Sequence, residues 1–524
     1  MYLFDDVPIN FTPQPGPGAP LWQGRTNDSE ELKDVAAAVH LAGGRIAALW
    51  GSDCRAEGKG FRIDCVFGLN EGHVCVRLDL PEDAPAYPDL SGIFPAANRM
   101  QRATRDLVGI ATTGGPNGGD VRPWLRHGAW PADWYPLRHD AGNHDGFSNE
   151  PSDYDFVPMG GEGAHEIPVG PIHAGIIEPG HFRFSVIGER VLRLEQRLGY
   201  QHKGIEQRAI GADIVTGAKL VGRVSGDSTC AFAWAYAAAV EAACAIEPSP
   251  RALALRAVML ERERVANHLG DLAMLGNDAA LSFGLSQFFR LKEDWVRLSA
   301  EFFGHRFMMD RIVPGGVAID LDARALAAIV AQCEAIDREV GELRAIYDEH
   351  AGLQDRYLTT GIIDTALARE LSLTGMAARA TGMILDGRVY RQGYTPPAPY
   401  AELGVRPATD ERGDVAARAA VRFDEVFESL RLLRLLAAGM PAGETRREVA
   451  PVAGGNGVGV IEGWRGEVVV GVRLDAAGRL ARMHPHDPSW QAWPALEHAV
   501  LKDIVPDFPL INKSFNLSYA GQDI

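Results

Sequence analysis

Apolar residues recur at helical spacing through most of the chain beyond residue 200. They stand at i, i+3, i+4 and i+7 in successive windows, which is the pattern of an amphipathic helix with one face against a core. The pattern predicts helices over roughly 204–218, 228–246, 250–275, 284–309, 322–351, 364–373 and 413–438. So many long helices in succession indicate a helical bundle.

The first 140 residues show a different spacing of apolar and polar residues. A helical stretch at 30–42 is followed by strand-like runs at 45–50, 61–67 and 74–80, which predicts a small α/β unit. The polar stretch 141–165 has the composition of a linker.

Extended patterns return beyond the linker, at 168–198 and again at 467–474. They predict a small sheet beside the bundle. The sequence therefore predicts an α+β fold in three parts. These are a small N-terminal α/β domain (1–140), a linker (141–165) and a large, mainly helical bundle domain with a small flanking β-sheet (166–524).

The charge balance is acidic, with 69 Asp and Glu against 52 Lys and Arg and a net charge of −17. Nucleic-acid binding needs a basic face, so the charge argues against a nucleic-acid partner. No run approaches the roughly 20 apolar residues of a membrane-spanning helix, and the first residues lack the pattern of a signal peptide. We therefore expect a cytoplasmic chain with no direct membrane span.

The six cysteines form no C-x-x-C pair. Clusters and zinc sites depend on such spacings, so we expect neither an iron–sulfur cluster nor a zinc site inside this chain. The thiols are interpreted as buried apolar groups.

Several ordered motifs run through both units. They are R-D-L-V-G-I at 105–110, W-Y-P-L-R-H-D at 134–140, V-G-P-I-H-A-G-I-I-E-P-G-H-F-R-F at 169–184, L-G-Y-Q-H-K-G-I-E at 198–206, E-R-E-R-V-A-N-H at 261–268 and E-G-W-R-G-E at 462–467. In this order they resemble the 30-kDa-type and 49-kDa-type subunits of respiratory complex I. The fusion of both in one chain resembles the large subunits of the formate hydrogenlyase and hydrogenase-4 type, which are group 4 nickel–iron hydrogenases. The resemblance implies the hydrogenase large-subunit fold.

Two motifs depart from that family where its metals are held. In the hydrogenases R-x-C-G-x-C and D-P-C-x-x-C supply four thiolates, whereas here 223–228 is R-V-S-G-D-S and 516–521 is N-L-S-Y-A-G. The four ligand positions carry Ser225, Ser228, Ser518 and Gly521. Nickel and iron in such a site need soft anionic sulfur, which neither a hydroxyl nor glycine provides.

We therefore expect no nickel–iron centre and no hydrogenase activity. The competing hypothesis is an active hydrogenase with unusual ligands, and it predicts nickel in the purified protein.

The resemblance to complex I also implies a quinone site. There the head group would lie between a histidine, here His202, and a tyrosine whose position falls on Gly226. Either another nearby donor replaces the tyrosine or quinone does not bind in that mode. The donors nearest in sequence are Ser225, Asp227, Ser228 and Tyr519.

Glu178 and Glu206 align with two carboxylates of the hydrogenase family. Glu178 takes the place of the glutamate that relays protons from the metal, a role that suits a carboxyl group whose pKa is raised by burial. The competing interpretation is a buried structural carboxylate paired with Arg183, Arg223 or Arg264. Glu206 takes the place of a magnesium ligand and is a weak candidate for that metal. The candidate catalytic residues are His202, Glu178, Arg223 and Asp227.

Two other segments have structural interpretations. The glycine-rich stretch 454–459 lacks a following helix that could hold phosphate, so it is interpreted as a loop that supports a hairpin. The sequence H-P-H-D at 484–487 is interpreted as a polar surface turn rather than part of a metal site.

The leading hypothesis is the large subunit of a membrane-associated electron-transfer oxidoreductase complex, related to NADH:quinone oxidoreductase and hydrogenase-4 but without its own nickel–iron centre. The resemblance implies two kinds of partner: a small subunit with an iron–sulfur cluster near residues 200–230, and antiporter-like membrane subunits that hold the chain at the membrane. Quinone is a possible ligand. NAD(H) would act only elsewhere in the complex, because this chain has no dinucleotide fingerprint. The alternative is a catalytically silent scaffold or conformational coupling subunit, and the sequence leaves open whether the chain itself is catalytic.

Overall fold

The computed structural model describes residues 9–16, 18–115, 119–127, 130–142, 153–173 and 177–524. Within these ranges small β-sheets accompany many helices, which confirms the predicted α+β class.

The N-terminal unit is built on a five-stranded sheet. Its elements are β1 (Thr12–Pro13), β2 (Leu21–Thr26), α1 (Ser29–Leu41), β3 (Arg45–Asp53), β4 (Phe61–Leu69), β5 (Gly72–Leu80), β6 (Ala86–Pro88), α2 (Ala97–Val108) and β7 (Ala111–Thr113). The sheet order is β1-β2-β5-β4-β3, with β2 and β5 parallel and the other neighbours antiparallel. The predicted helix and three strands are confirmed. Helix α1 begins where the Asp28 side chain accepts the backbone N–H of Glu30, and it buries Leu32, Val35 and Val39 at helical spacing.

The second unit combines a three-stranded sheet, a bundle and a second three-stranded sheet. Its elements are β8 (Ala164–Val169), β9 (His181–Ile187), β10 (Arg190–Arg197), α3 (Ile205–Ala209), α4 (Ile214–Val221), α5 (Thr229–Cys244), α6 (Pro250–Asp278), α7 (Ser282–Phe303), β11 (Ile312–Val313), β12 (Gly316–Val317), α8 (Ala323–Glu349), α9 (Ala351–Tyr357), α10 (Thr365–Glu370), α11 (Gly375–Arg379), α12 (Tyr400–Leu403), α13 (Val415–Ala438), β13 (Asn456–Glu462), β14 (Glu467–Leu474), β15 (Leu480–His486), α14 (Ser489–Ala499), α15 (Phe508–Phe515) and α16 (Tyr519–Asp523).

Most predicted helices are present, and two differ in extent. The predicted helix 204–218 is two helices, α3 and α4, because Gly211 takes a left-handed backbone (φ 77°) and Asp213 caps a new helix. The predicted helix 284–309 ends earlier, at Phe303, because Gly304 is left-handed (φ 71°).

The sheet β13-β14-β15 joins the two units. On one face Val458, Val460 and Val469 pack against apolar residues of the N-terminal sheet, Trp50 and Val66 among them. On the other face lies the alanine-rich helix α5. The prediction that 454–459 is a loop is therefore correct only for residues 454 and 455. Strand β13 begins at residue 456.

Glycines in β13 permit the close approach of α5. A Cβ on Gly459 would lie 1.9 Å from the carbonyl oxygen of Ala235, and one on Gly457 would lie 2.0 Å from that of Ala239. The glycines of this segment thus serve helix–sheet packing.

The predicted linker is described at residues 141–142 and from residue 153 onward, while 143–152 lie outside the described residues. Its described part carries no helix or strand until β8 begins at residue 164, inside the predicted linker. The division into 1–140, 141–165 and 166–524 stays a prediction. None of the helices in the described ranges is both long enough and apolar enough to cross a membrane. All six cysteines are buried as free thiols, as predicted.

Candidate functional site

Three of the four positions predicted to correspond to metal-binding cysteines are linked by hydrogen bonds. The hydroxyl of Ser225, just before a short 3₁₀ turn (Gly226–Ser228), lies 2.9 Å from the hydroxyl of Ser518, the N-cap of α16. The Ser518 hydroxyl accepts the backbone N–H of Gly521 at 2.8 Å. Two segments 293 residues apart in sequence thus meet in the buried interior. We call Ser225, Ser228, Ser518 and Gly521 the ligand-position cluster.

An ion pair borders this cluster. The guanidinium of Arg465 donates to both carboxylate oxygens of Asp227, at 2.9 and 2.5 Å. The Ser225 hydroxyl donates to Asp227 Oδ1 at 2.6 Å. Burial opposes ionisation of Asp227, but the charge and hydrogen bonds of Arg465 outweigh it and lower the pKa of Asp227 to about 2. Asp227 is therefore a carboxylate near neutral pH.

Ser228 is also engaged within the protein. Its hydroxyl accepts from the indole N–H of Trp464 at 3.1 Å and from Arg465 Nη1 at 3.2 Å. These two donors already use both lone pairs with which the Ser228 oxygen accepts hydrogen bonds.

A second carboxylate fills the space beside Gly521. A Cβ built on Gly521 would lie 2.6 Å from Oδ2 of Asp487, a contact that side chains do not tolerate. Asp487 is 1% exposed, and its Oδ2 has no hydrogen-bond partner among the described residues. Burial raises the pKa of this carboxyl group. Position 521 therefore accepts no side chain while Asp487 holds this place.

The donor set does not fit a nickel–iron centre. The cluster offers three hydroxyls, which are hard and neutral, in place of four soft thiolates. Two of its members already bond to the Asp227–Arg465 pair, and a carboxylate oxygen blocks the fourth position.

The predicted residue His202 lies in a loop that the C-terminal segment holds. Its Nδ1 donates to the backbone carbonyl of Asp523 at 2.8 Å, and the imidazole lies 5.9 Å from the ring of Trp130. The Asp523 carboxylate accepts the backbone N–H groups of Gly199 at 2.7 Å and Gln201 at 2.8 Å. Burial raises the pKa of Asp523 to about 7.

The next residue connects this loop to the turn that carries Asp227. The ammonium of Lys203 donates to the carbonyl oxygens of Arg223 at 2.8 Å and Val224 at 2.6 Å. Burial lowers the pKa of Lys203, while Glu178, Asp523 and Asp227 act in the opposite direction. The structure thus gathers three of the four candidate catalytic residues, His202, Glu178 and Asp227, around Lys203.

Glu178 lacks the burial that both of its predicted roles assume, because its side chain is exposed. Its role in proton transfer stays a prediction. None of the predicted arginines pairs with it, because Arg183 bonds to Glu166, Arg223 to Asp310 and Arg264 to Glu425. Instead its Oε2 accepts the backbone N–H of Ala520 at 3.0 Å, which ties the loop before β9 to α16. The interpretation as a buried, arginine-paired carboxylate is wrong.

Arg223 lies at the edge of the site. Its guanidinium is exposed and forms two hydrogen bonds with Asp310, at 2.7 and 2.8 Å. The arginine that pairs with Asp227 is Arg465, from the E-G-W-R-G-E motif at 462–467.

Glu206 is buried between an arginine and a histidine. Its Oε1 lies 2.7 Å from Arg482 Nη1 and 2.7 Å from Nδ1 of His484. Although burial opposes ionisation, Arg482 and His484 lower the pKa of Glu206 to about 2. A fixed guanidinium on this oxygen repels a dication, so the carboxylate does not fit a magnesium site.

The stretch 484–487 is not the surface turn that the sequence predicts. His484 is 6% exposed and His486 and Asp487 are 1% exposed. His484 and His486 belong to β15, where His484 stacks on Trp50 of the N-terminal unit at 4.8 Å. The polarity of the segment reflects internal bonding rather than contact with water.

A separate group of buried ions lies within the bundle. Glu425 accepts from Arg264 Nη1 at 3.0 Å, from Arg379 Nε at 2.8 Å and bonds to His268 Nε2 at 2.8 Å. We call these four residues the Glu425 cluster. Burial opposes ionisation of Glu425, but Arg379 and Arg264 hold its pKa well below the usual range. His268 is thus a hydrogen-bonded core histidine.

Glu263 forms a further buried site at the start of α5. Its carboxylate accepts the backbone N–H of Cys230 at 2.6 Å and that of Ala231 at 3.2 Å. Burial raises the pKa of this carboxyl group to about 8. Sequence reasoning missed Glu263, Arg465, Asp487 and Asp523. The motifs at 261–268 and 462–467 contain two of them, but neither motif indicates their partners.

Two parts of the chain match models of respiratory-chain NADH dehydrogenase subunits. The 30 Kd subunit model matches residues 26–145 and the 49 Kd subunit model matches residues 279–453. The chain therefore fuses a 30-kDa-type and a 49-kDa-type domain and is an oxidoreductase subunit of the complex I-like and hydrogenase-like class.

Curated relatives come from two kinds of complex. Formate hydrogenlyase subunit 5 of Escherichia coli is 28% identical over 92% of this chain and 85% of its own length. Hydrogenase-4 component G of the same organism is 29% identical over 92% of this chain and 84% of its own length. An NADH-quinone oxidoreductase subunit of Bacteroides thetaiotaomicron is 26% identical over 76% of this chain and 77% of its own length.

A solved structure shares the fold. A chain of the membrane-bound sulfane sulfur reductase, an archaeal respiratory membrane complex, superposes with a TM-score of 0.64. The alignment covers 69% of this chain and 98% of that one, at 24% sequence identity.

Proposed function

We propose that this chain is the large subunit of a membrane-associated electron-transfer complex and works there without a nickel–iron centre of its own. The supporting relatives are subunits of hydrogenases and NADH-quinone oxidoreductases. The observation that carries the proposal is the Asp227–Arg465 ion pair beside the ligand-position cluster. The Arg465 side chain is buried and that of Asp227 is 36% exposed, and their opposite charges balance each other here without a metal.

In this proposal the electrons travel through a partner subunit with an iron–sulfur cluster near residues 200–230. Antiporter-like membrane subunits hold the chain at the cytoplasmic face of the membrane, and any reaction of NAD(H) takes place on other subunits. The contribution of this chain is a polar wall formed by the 199–203 loop, the 225–228 turn and α16.

His202 is the residue in this wall that we propose contacts a quinone-type ligand. Its Nδ1 is occupied by the Asp523 carbonyl, and its Nε2 has no hydrogen-bond partner among the described residues. Asp227 is unsuited to donate a proton, because Arg465 keeps it ionised. The hydroxyl of Tyr519 lies 3.4 Å from the Asn512 side-chain amide, and that of Ser225 is directed to Asp227.

The internal pairing of Asp227 favours a second candidate function. If the ion pair and the serine hydroxyls satisfy one another fully, the chain acts as a scaffold that transmits conformational change between the cluster-bearing partner and the membrane subunits. In that case His202 has no ligand.

Purification of the intact complex separates these functions. We expect iron from the partner subunit, bound quinone and no nickel, and we expect His202→Ala to abolish quinone reduction while the complex stays assembled. The matched control is His305→Ala, which removes a half-buried histidine. Among the described residues its ring accepts only backbone N–H groups of its own loop and contacts the ring of Phe307. Unchanged quinone reduction in His202→Ala would support the scaffold, and nickel at about one atom per chain would contradict both functions.

A further inference from the structure

The loop that carries His202 is held by two adjacent residues of the C-terminal segment, Asp523 and Ile524. Asp523 is 0% exposed, and its carboxylate accepts two backbone N–H groups, from Gly199 and Gln201, at 2.7 and 2.8 Å. Its own carbonyl accepts from His202 Nδ1 at 2.8 Å. The backbone N–H of Lys203 adds a bond to the carbonyl of Ile524 at 3.3 Å. Four hydrogen bonds from two adjacent residues therefore fix the five-residue stretch 199–203.

The segment that provides these bonds is itself anchored at several points. Ser518, its first residue, bonds to Ser225, and Ala520 bonds to Glu178. Between them the ring of Tyr519 packs on Trp493 at 4.8 Å. Helix α16 therefore has little freedom, and Asp523 is presented to the 199–203 loop from a rigid support.

The bond at Nδ1 determines the tautomer of His202. A neutral imidazole has one protonated nitrogen, and the nitrogen that donates to a carbonyl must be that one. With the proton on Nδ1, the neutral ring offers Nε2 only as a hydrogen-bond acceptor. The protonated ring offers Nε2 as a donor.

We propose that Asp523 is the positioning residue of His202, holding its loop and its Nδ1–H so that Nε2 faces the ligand in a single tautomer. The proposal rests on the proposed quinone-type role of His202. The neutral ring then accepts from an O–H group, and the protonated ring donates to a carbonyl oxygen. A ligand whose oxygen alternates between carbonyl and hydroxyl, as in a quinone and its quinol, matches both states of this one atom.

Nitrogen NMR of the histidine rings tests the tautomer directly. The full chain would be labelled with ¹⁵N-histidine and compared with His202→Gln, which identifies the His202 signals by their loss. We expect neutral wild-type His202 to show one tautomer, protonated at Nδ1. A wild-type ring protonated at Nε2 would overturn the proposal without any further variant.

The variant Asp523→Ala removes the carboxylate that holds the loop. We expect the His202 ring to change to a mixture of tautomers. In the reduction of a soluble quinone by the complex, we expect KM to rise by a larger factor than kcat falls. Asp523→Asn retains one acceptor oxygen and should restore part of the single-tautomer signal.

The matched control is Asp414→Ala, because Asp414 is also a buried carboxylate (3% exposed) that accepts two backbone N–H groups, those of Thr359 and Ala417. We expect the His202 signals to stay as in the wild type. A single Nδ1–H tautomer that persists in Asp523→Ala contradicts the positioning role. The readout is independent of metal and quinone content, so failure of this proposal is distinct from failure of the proposed function.

Discussion

The Glu425 cluster and the ligand-position cluster are both buried and polar, yet they are completed in different ways. Glu425 has two arginines and a histidine on its two oxygens. Beside the ligand-position cluster, Asp227 has one arginine, and Asp487 has an oxygen with no partner among the described residues.

This difference in how the carboxylates are paired shows that polar groups are kept in a protein core for more than one reason. A multiply paired carboxylate is a structural element, because removing it leaves buried cations without compensation. Beside the ligand-position cluster Asp227 has an arginine partner, whereas Oδ2 of Asp487 has none among the described residues, so charge pairing accounts for only part of the polar groups there.

Loss of Glu425 should have the largest effect. We expect Glu425→Ala to lower the free energy of unfolding by about 3–5 kcal/mol, because Arg264 and Arg379 then keep buried charges without this partner. The measurement is chemical denaturation of the purified chain. Glu301→Ala is the control, since its ion pair with Arg324 is exposed and is worth about 0–1 kcal/mol. Equal losses in the two variants would contradict the structural role of the cluster.

The pH dependence of stability should report Glu263. Its folded-state pKa, raised by burial to about 8, lies above the ordinary value of 4.5. The folded protein thus binds this proton more tightly than the unfolded chain does. The resulting stabilisation is complete below about pH 4.5 and is lost as the pH rises through about 8. We expect Glu263→Gln to flatten the fall in unfolding free energy across this window, whereas the exposed Glu301→Gln should leave the wild-type slope. An unchanged slope in Glu263→Gln would show that the group does not carry the proton.

A methyl group added at position 521 should show how closely Gly521 packs against Asp487. We expect Gly521→Ala to cost about 1–3 kcal/mol, because its Cβ would overlap Asp487 Oδ2. Gly226→Ala is the matched control, since a Cβ there meets no atom within 4 Å. The double variant Gly521→Ala/Asp487→Ala should be less destabilised than the sum of the single variants. Additive losses would mean that the two residues do not compete for space.

The smallest effect is expected at the serine hydroxyls. Ser225→Ala removes the hydrogen bonds to Asp227 and Ser518 and should cost about 1 kcal/mol in thermal or chemical unfolding. Ser286→Ala should cost less, because the exposed Ser286 hydroxyl bonds, within the described part of the chain, only to the Ser282 carbonyl. A loss in Ser225→Ala as large as that in Glu425→Ala would remove the distinction between the two clusters.

The sequence predicted much of the fold because its signals are local. The stripe of α1, the strands β3, β4 and β5 and the long bundle helices follow from spacing alone. Ordered motifs supplied the family. Errors arose where two distant segments meet, as at β13, whose glycines are explained only by the α5 backbone, and at His484, whose partner Glu206 lies 278 residues away.

The sequence predicted which residues lie in the candidate site, but not the hydrogen bonds and ion pairs that they form. The sequence pointed to Ser225, Ser228, Ser518 and Gly521, and three of them are hydrogen-bonded to one another. It did not indicate that Arg465 would pair with Asp227, that Asp487 would occupy the space beside Gly521, or that Glu178 would be exposed. The ion pair, for example, joins two segments 238 residues apart, and no local pattern encodes such a contact.

The central claim is that an ion pair and hydroxyl groups occupy the positions that the resemblance to the hydrogenases assigns to metal ligands. The most direct measurement is an anomalous-scattering map at the nickel edge, from crystals of the complex produced in nickel-supplemented cells. The account predicts no peak between the 225–228 turn and residues 518–521, with continuous density joining Arg465 to Asp227. A pair of heavy-atom peaks at that place would contradict it.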